Sequence, residues 1–193
     1  MKWYELVKIV HFLGLIAVIG FFVIYSRAGP KLRAATDLSE VKVWLGVLEL
    51  SRPMVPGGAV MLLASGLTMA WIRWRGPYAF IGVGMVTLII VWVLVARTAG
   101  AHLRAMKAGA MNSGDSGSVP AQLSRVILAT RPWSTLFALN LATLGVLVVM
   151  TLKLSWVGAI ATILVLSALG AFVGARLVES DRAKHTARSS DQQ

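Results

Sequence analysis

The sequence predicts an all-α fold, a polytopic bundle of five transmembrane helices. Of the 193 residues, 57% are apolar and only 14% are charged, whereas soluble domains carry roughly 25% charged residues. The mean hydropathy is +0.75. The apolar residues are gathered into five runs, each close to the ~20 residues that cross a hydrocarbon core as a helix. We therefore expect an integral membrane protein.

The five runs are separated by prolines, basic residues and short polar links. They cover residues 6–25, 54–72, 78–96, 133–152 and 156–175. The link between the second and third runs is so short that these two helices are expected to be antiparallel neighbours. Residues 1–178 are predicted to form the transmembrane domain, and the polar residues 179–193 a disordered cytoplasmic tail.

The first run contains two basic side chains, Lys8 and His11, inside an otherwise apolar span. They are three residues apart and share one helical face, with Glu5 one turn nearer the N-terminus. A cleavable signal peptide would have a shorter apolar part and a small-residue cleavage site, which the sequence after Tyr25 does not provide. We expect this helix to remain in the mature protein.

Two segments outside the spans carry recognisable patterns. Residues 41–50, ahead of Pro53, are predicted to form an interfacial helix, although an extension of the next helix fits equally well. The apolar face of this segment comprises Val43, Trp44, Val47 and Leu48. Residues 109–120 are rich in Gly and Ser and predict a flexible loop that tolerates shortening.

The basic residues predict the orientation of the chain in the membrane. The loops at 26–52 and 97–132 and the C-terminal tail hold fourteen Lys and Arg (five, five and four), against five on the other side. By the positive-inside rule the N-terminus is outside and the C-terminus is cytoplasmic. The net charge of +11 then reports topology and contact with the lipid bilayer, and no nucleic-acid partner is expected.

A possible internal repeat has an offset of 79 residues. Arg52-Pro53 and Ala96-Arg97 recur as Arg131-Pro132 and Ala175-Arg176, and Gly66 falls on Gly145. Residues 52–97 and 131–176 would then be two equivalent helical hairpins, a parallel repeat of the kind found in some transporters. Chance similarity between apolar helices is the alternative explanation.

The predicted outer half of the bundle holds a candidate metal site. His11 is expected at about the same depth as three methionines from other spans, namely Met69, Met85 and Met150. Imidazole and thioether groups are ligands that Cu(I) accepts. Methionine is also an ordinary gap-filler in packed helices, which is the alternative role for these side chains.

The other polar residues have two interpretations as well. Lys8 either joins His11 at a ligand site or extends outward and pairs with Glu5, leaving His11 hydrogen-bonded to a neighbouring helix. Asn140, within the fourth span, either contacts a ligand or joins helices through hydrogen bonds. A haem with two histidine ligands is not expected, because His102 and His185 are predicted at the cytoplasmic side and cannot reach His11 across most of the bilayer. A haem with a single histidine ligand remains open.

Several of these residues resemble a known family. Lys8-Ile-Val-His11, the Arg52-Pro53 start of the second span with Ser65-Gly66-Leu67, and the ending Val149-Met150-Thr151-Leu152-Lys153 look like a bacterial integral membrane family catalogued as a domain of unknown function. The pattern is similar, more distantly, to HemJ-type protoporphyrinogen oxidases and to the membrane domain of copper-resistance protein D. The resemblance covers residues 4–153. It implies a bacterial cytoplasmic membrane, and His11 as the haem- or metal-associated residue.

The sequence offers no paired carboxylates within the spans and no nucleophile with an adjacent base, which favours a protein that is not an enzyme. It contains no Cys, which excludes disulfides and thiolate metal sites. The first hypothesis is a membrane protein that binds or passes a small ligand, such as copper or a porphyrin, near His11. The alternatives are a membrane redox enzyme of the porphyrin-oxidising type and an accessory subunit of a larger membrane complex. Assembly as a homo-oligomer is a separate possibility that the sequence leaves open.

Overall fold

A computed structural model of the protein describes residues 2–73, 78–114 and 117–190. Within these ranges the chain forms seven helices. They are α1 Lys2–Ala34, α2 Leu38–Ser51, α3 Met54–Arg73, α4 Ala79–Met111, α5 Ala121–Ile127, α6 Thr130–Leu152 and α7 Trp156–Ser190. Five helical segments are long and apolar enough to cross a membrane, so the all-helical fold and the five predicted spans are confirmed. The link at residues 74–77 lies outside the described ranges.

The helices extend beyond the predicted spans. α1 continues past residue 25 to Ala34, and α4 continues past residue 96 to Met111. The added turns bury apolar side chains, since Leu32 and Met106 are fully buried. Hydropathy marks only the part of a helix that lipid covers, whereas these turns are stabilised by packing against α2 and α5.

α2 covers the segment 41–50, and one of its faces is buried. Asp37 caps the helix, its carboxylate accepting a hydrogen bond of 2.7 Å from the backbone N–H of Ser39. Hydrogen bonding by the Ser39 side chain, and secondly by this N–H, lowers the pKa of Asp37. The buried residues are Leu38, Val41, Leu45, Leu48 and Ser51. Val43 and Val47, assigned to the apolar face, are exposed. These two valines leave part of the apolar face of α2 outside its packing against α1 and α4, and the interfacial placement of the helix stays a prediction.

Glycines set the closest helix contacts. A Cβ atom at Gly14 of α1 would lie 2.9 Å from the carbonyl oxygen of Gly58 on α3, and one at Gly58 would lie 2.7 Å from the carbonyl of Gly14. Gly174 of α7 lies against Ser134 of α6 in the same way. Small residues allow helix backbones to approach in a membrane. The bundle is thus built from two tight pairs, α1 with α3 and α6 with α7, and α4 packs on α6.

The two predicted hairpins are packed differently. α6 and α7 contact each other along their length, whereas α3 packs mainly on α1 and makes few contacts with α4. Gly145 lies against Ile163 of its own hairpin, while Gly66 faces His11 on α1. The two hairpins thus differ in packing, because a cavity lies between α3 and α4, and the internal repeat stays a prediction.

The segment from 109 to 120 is held in place over its described part. Gly117 accepts a hydrogen bond of 2.9 Å from the backbone N–H of Leu38, and Val119 donates one of 3.2 Å to Thr36. Lys42 donates to the carbonyl of Gly114 at 2.6 Å. The prediction of a free, dispensable loop is therefore corrected, because its backbone pairs with the start of α2.

The C-terminal segment also differs from its prediction. α7 continues to Ser190, into the region expected to be disordered. Val178 is fully buried, and the carboxylate of Asp181 accepts a hydrogen bond of 2.8 Å from Arg33 at the end of α1. Arg182 reaches the carbonyl of Leu128 at 2.9 Å. These contacts stabilise helix where hydropathy alone predicts none.

Candidate ligand cavity

A cavity of about 270 Å³ lies between α1, α3, α4 and α6. Apolar side chains make most of its wall. The lining residues are His11, Leu62, Leu63, Gly66, Met69, Ala70, Phe80, Ile81, Gly84, Met85, Leu88, Val91, Thr143, Val146 and Met150. The polar members are His11 and Thr143, and the three sulfur-bearing members come from three different helices.

His11 is half-buried, and a hydrogen bond to α3 orients its imidazole. The Nδ1 atom lies 3.0 Å from Oγ of Ser65, and the Ser65 hydroxyl donates to the carbonyl of Met61. A hydroxyl has one hydrogen to give, so the Ser65 oxygen accepts from His11. This arrangement places the proton on Nδ1.

The consequence is a histidine whose Nε2 atom carries a free lone pair. In a neutral imidazole with the proton on Nδ1, Nε2 is an acceptor and a metal ligand. Gly66 lies next to the imidazole, where a Cβ atom would come within 3.5 Å of the Cε1 atom of His11. Gly66 therefore leaves space beside the Cε1 and Nδ1 atoms of the ring, where α1 and α3 lie close together.

The three methionines named from the sequence share the cavity with His11. Met69 lies one turn after Ser65 on α3, Met85 lies near the start of α4, and Met150 lies near the end of α6; each is half-buried. The methyl group of Met150 occupies the space in front of Gly84, where a Cβ atom would overlap it. His11 and these methionines thus line one cavity. The binding of a metal stays a prediction.

Two other predicted site residues lie elsewhere. Lys8 does not line the cavity; its ammonium lies 2.6 Å from the carboxylate of Glu5 and 5.4 Å from the ring centre of Tyr4. Asn140 lines a small void beside Tyr25 on the far side of α6. Lys8 is therefore part of an exposed ion pair, and Asn140 a polar residue within the helix packing.

The other described histidine is remote from the cavity. His102 is buried in α4, and its ring meets the edge of Trp133 with centroids 5.6 Å apart. The guanidinium of Arg33 lies over the Trp133 ring, 4.8 Å from the ring centroid. The indole N–H of Trp133 donates to the carbonyl of Ile127 at 2.8 Å. This cluster joins α1, α4 and α6 and has no part in the cavity. The side chain of His185 lies outside the described residues.

Sequence reasoning did not assign Ser65 or Thr143 to the site. Both are buried hydroxyls that donate to their own helices, Ser65 to Met61 and Thr143 to Leu139 at 2.9 Å. A hydroxyl of this kind in an apolar helix commonly has no partner on another helix. The sequence does show Ser65 as a polar residue within an apolar span. The packing of that span against the helix of His11 is visible only in three dimensions.

The side chains that could donate electron pairs to a metal limit the kinds of ligand that the cavity can bind. Among the described residues, no group of three or more His, Asp or Glu side chains converges on one point. Hard divalent cations prefer carboxylates and carbonyls, while imidazole with thioether sulfur suits a soft ion. The cavity therefore fits a soft cation or a small, largely apolar molecule.

Comparisons of the chain with protein-family models, with curated proteins and with solved structures gave no match. The family resemblance drawn from the motifs stays a prediction. The fold and the cavity together define the class of protein: a helical protein with five segments long and apolar enough to cross a membrane that contains one histidine and three methionines around an internal space.

Proposed function

We propose that the protein is a multi-pass protein of the bacterial cytoplasmic membrane that binds Cu(I) in the cavity between α1, α3, α4 and α6. One observation carries this proposal: His11, with its Nε2 lone pair available, lines the same cavity as the thioethers of Met69, Met85 and Met150. One imidazole and three thioethers are a donor set that favours Cu(I) over Zn²⁺ or Mg²⁺.

The size of the cavity is compatible with an ion once the methionines move. A volume of about 270 Å³ exceeds that of a bare cation, but each methionine side chain has three rotatable bonds and adapts its sulfur position at small cost. The same volume lies below the roughly 300–1,000 Å³ of pockets for drug-sized ligands. A porphyrin would require the helices to separate, which supports copper over the porphyrin alternative.

The proposal includes an orientation. The charge asymmetry of the loops supports an external N-terminus and a cytoplasmic C-terminus. His11 lies near the N-terminal end of α1 and Met69 near the C-terminal end of α3, so the copper site belongs to the outer half of the bilayer.

A competition titration tests the copper proposal. The purified full-length protein is titrated with Cu(I) against a chromophoric Cu(I) chelator under reducing conditions. We expect one Cu(I) per chain and a loss of affinity of at least about 100-fold in His11→Ala, since even residues that only orient a metal ligand cost 10–100-fold. Met69→Leu and Met150→Leu should each weaken binding by about tenfold.

The control is Met106→Leu, which removes a sulfur from a buried position of α4 that does not line the cavity. It should bind Cu(I) like the wild type. Equal affinity of the wild type and His11→Ala would overturn the proposal. A Soret absorption band in the purified protein, lost in His11→Ala, would replace copper with a porphyrin as the ligand.

A further inference from the structure

A second cavity lies toward the opposite end of the bundle and shares no residue with the first. It has a volume of about 190 Å³ and lies between α1, the start of α3 and α4. Its floor is apolar and buried, and includes Phe21, Val55 and Val95. Its rim carries the exposed side chain of Arg52. The cavity thus opens at the surface between α3 and α4.

Tyr25 is the buried polar residue of this cavity. It is only 6% exposed, and its ring is held by Phe21 at 4.5 Å and by Trp133 at 6.3 Å between centroids. Within the described residues its hydroxyl has no hydrogen-bond partner, although the side chain lines the cavity. The hydroxyl is not among the inaccessible polar atoms that lack a partner, so it can donate to a ligand that enters the cavity.

Arg52 supplies the positive charge. It stands at the junction of α2 and α3 and lines the same cavity as Tyr25. The acidic residue nearest in sequence, Glu49, is paired with Lys107 at 2.7 Å, and Arg52 has no ion pair with any described residue. A guanidinium and a hydroxyl donor therefore meet at one cavity, an arrangement that recognises phosphate oxygens.

The position of the cavity along the helices indicates the source of the phosphate. Arg52 precedes the membrane-crossing part of α3, and Tyr25 and Ala96 end the apolar runs of α1 and α4. All three are therefore at the level of the lipid head groups. Trp92, also in the lining, is of the type enriched at this level. The apolar floor then continues toward the hydrocarbon region.

We propose that this cavity binds an anionic phospholipid, with Arg52 and Tyr25 holding the phosphate and the Trp92 side of the groove receiving the glycerol and acyl chains. Basic pockets between helices near the cytoplasmic surface recognise such head groups. The site is separate from the His11 cavity: Tyr25 lies fourteen residues beyond His11, about 21 Å along α1. It does not depend on the copper proposal.

The test uses the full chain in detergent. Short-chain phosphatidylglycerol, phosphatidylcholine and inorganic phosphate are titrated separately, and bound lipid is counted by native mass spectrometry. Phosphatidylglycerol should bind about tenfold more tightly than phosphatidylcholine. Arg52→Gln should reduce phosphatidylglycerol binding by about tenfold or more, because it removes a charge-assisted hydrogen bond. Tyr25→Phe should reduce it several-fold while keeping the ring contacts.

The matched control is Arg97→Gln, which removes the same charge from an exposed position of α4 outside the lining. It should bind like the wild type, and thermal unfolding should verify that each variant is folded. Equal losses in Arg52→Gln and Arg97→Gln would overturn the proposal in favour of attraction by net charge. Full competition by inorganic phosphate would also overturn it, by showing a site for a free anion. Should Arg52→Gln fail to fold, unchanged phosphatidylglycerol binding by Tyr25→Phe would overturn it equally.

Discussion

At the residue scale, the hydroxyl of Ser65 decides what His11 can do. His11 alone could carry its proton on either ring nitrogen, and only a partner fixes which one. Ser65 accepts from Nδ1 because its own hydrogen is committed to Met61. Removal of that hydroxyl should therefore alter ligand binding at Nε2, although the hydroxyl itself does not contact the ligand.

The first prediction follows from this hydrogen bond. Ser65→Ala should weaken Cu(I) binding by about tenfold, since the orienting partner of a metal-ligating histidine is lost, and should lower stability by about 1 kcal/mol. Nitrogen NMR chemical shifts of His11 should show mixed tautomers in place of one.

The control for this change is Thr68→Ala, three residues further along α3. Thr68 is exposed and its hydroxyl donates to the carbonyl of Ala64 at 2.8 Å, so it resembles Ser65 in its helix but contacts no imidazole. Loss of Cu(I) affinity of the same size in both variants would contradict the orienting role of Ser65.

At the element scale, the crossing of α1 and α3 positions His11 over Ser65. The two helices touch backbone to backbone at Gly14 and Gly58. His11 lies one turn before Gly14, and Ser65 two turns after Gly58. A wider crossing would therefore lengthen the hydrogen bond between the two side chains.

Gly58→Ala should accordingly destabilise the protein by about 1–3 kcal/mol, the usual cost of inserting a methyl group into a packed contact. This cost arises because the Cβ atom of an alanine at position 58 would lie 2.7 Å from the carbonyl oxygen of Gly14. The neighbouring Gly57 has nothing within 4 Å of its Cβ position. Gly57→Ala should leave stability unchanged or raise it by up to about 1 kcal/mol. Thermal unfolding of both variants in detergent measures the difference, and equal melting temperatures would contradict this account of the crossing.

At the scale of the whole molecule, the two cavities lie toward opposite ends of the bundle. His11 is near the start of α1, and Arg52 is at the junction of α2 and α3. If the copper site is in the outer half of the membrane, the phospholipid site is in the inner leaflet. The orientation of the chain in the membrane therefore connects both proposals.

Reporter fusions measure this orientation. The fourteen-to-five distribution of Lys and Arg should place the loops at 26–52 and 97–132 in the cytoplasm. Fusions after Lys31 and after Asn112 should both report a cytoplasmic position, and a fusion after Lys153 an external one. An external signal from either of the first two would reverse the orientation and move the copper site to the cytoplasmic side.

Much of the fold could be predicted from the sequence because it depends on local properties. Helix in a membrane follows from the length and hydropathy of each run, so the five spans were predicted within a few residues at most ends. Hydropathy also gave the approximate depth of His11 and of the three methionines. That knowledge of depth sufficed to predict that these four side chains would meet.

Features that depend on contacts between distant parts of the chain were established only by the tertiary structure. The extension of α7 requires the pairing of Asp181 with Arg33, residues far apart in sequence. The buried face of α2, the anchored segment after Met111 and the different packing of the two hairpins likewise require a neighbour that no local pattern specifies.

The same division applies to the candidate sites. The sequence by itself determined that His11 is an imidazole within an apolar span, at a depth shared with sulfur donors. Only the tertiary structure decided that Ser65 fixes its tautomer, that Lys8 turns away to Glu5, and that Tyr25 and Arg52 share a cavity. The physical reason is that depth is set by each helix against the bilayer, whereas the direction of a side chain is set by how the helices rotate and cross against one another.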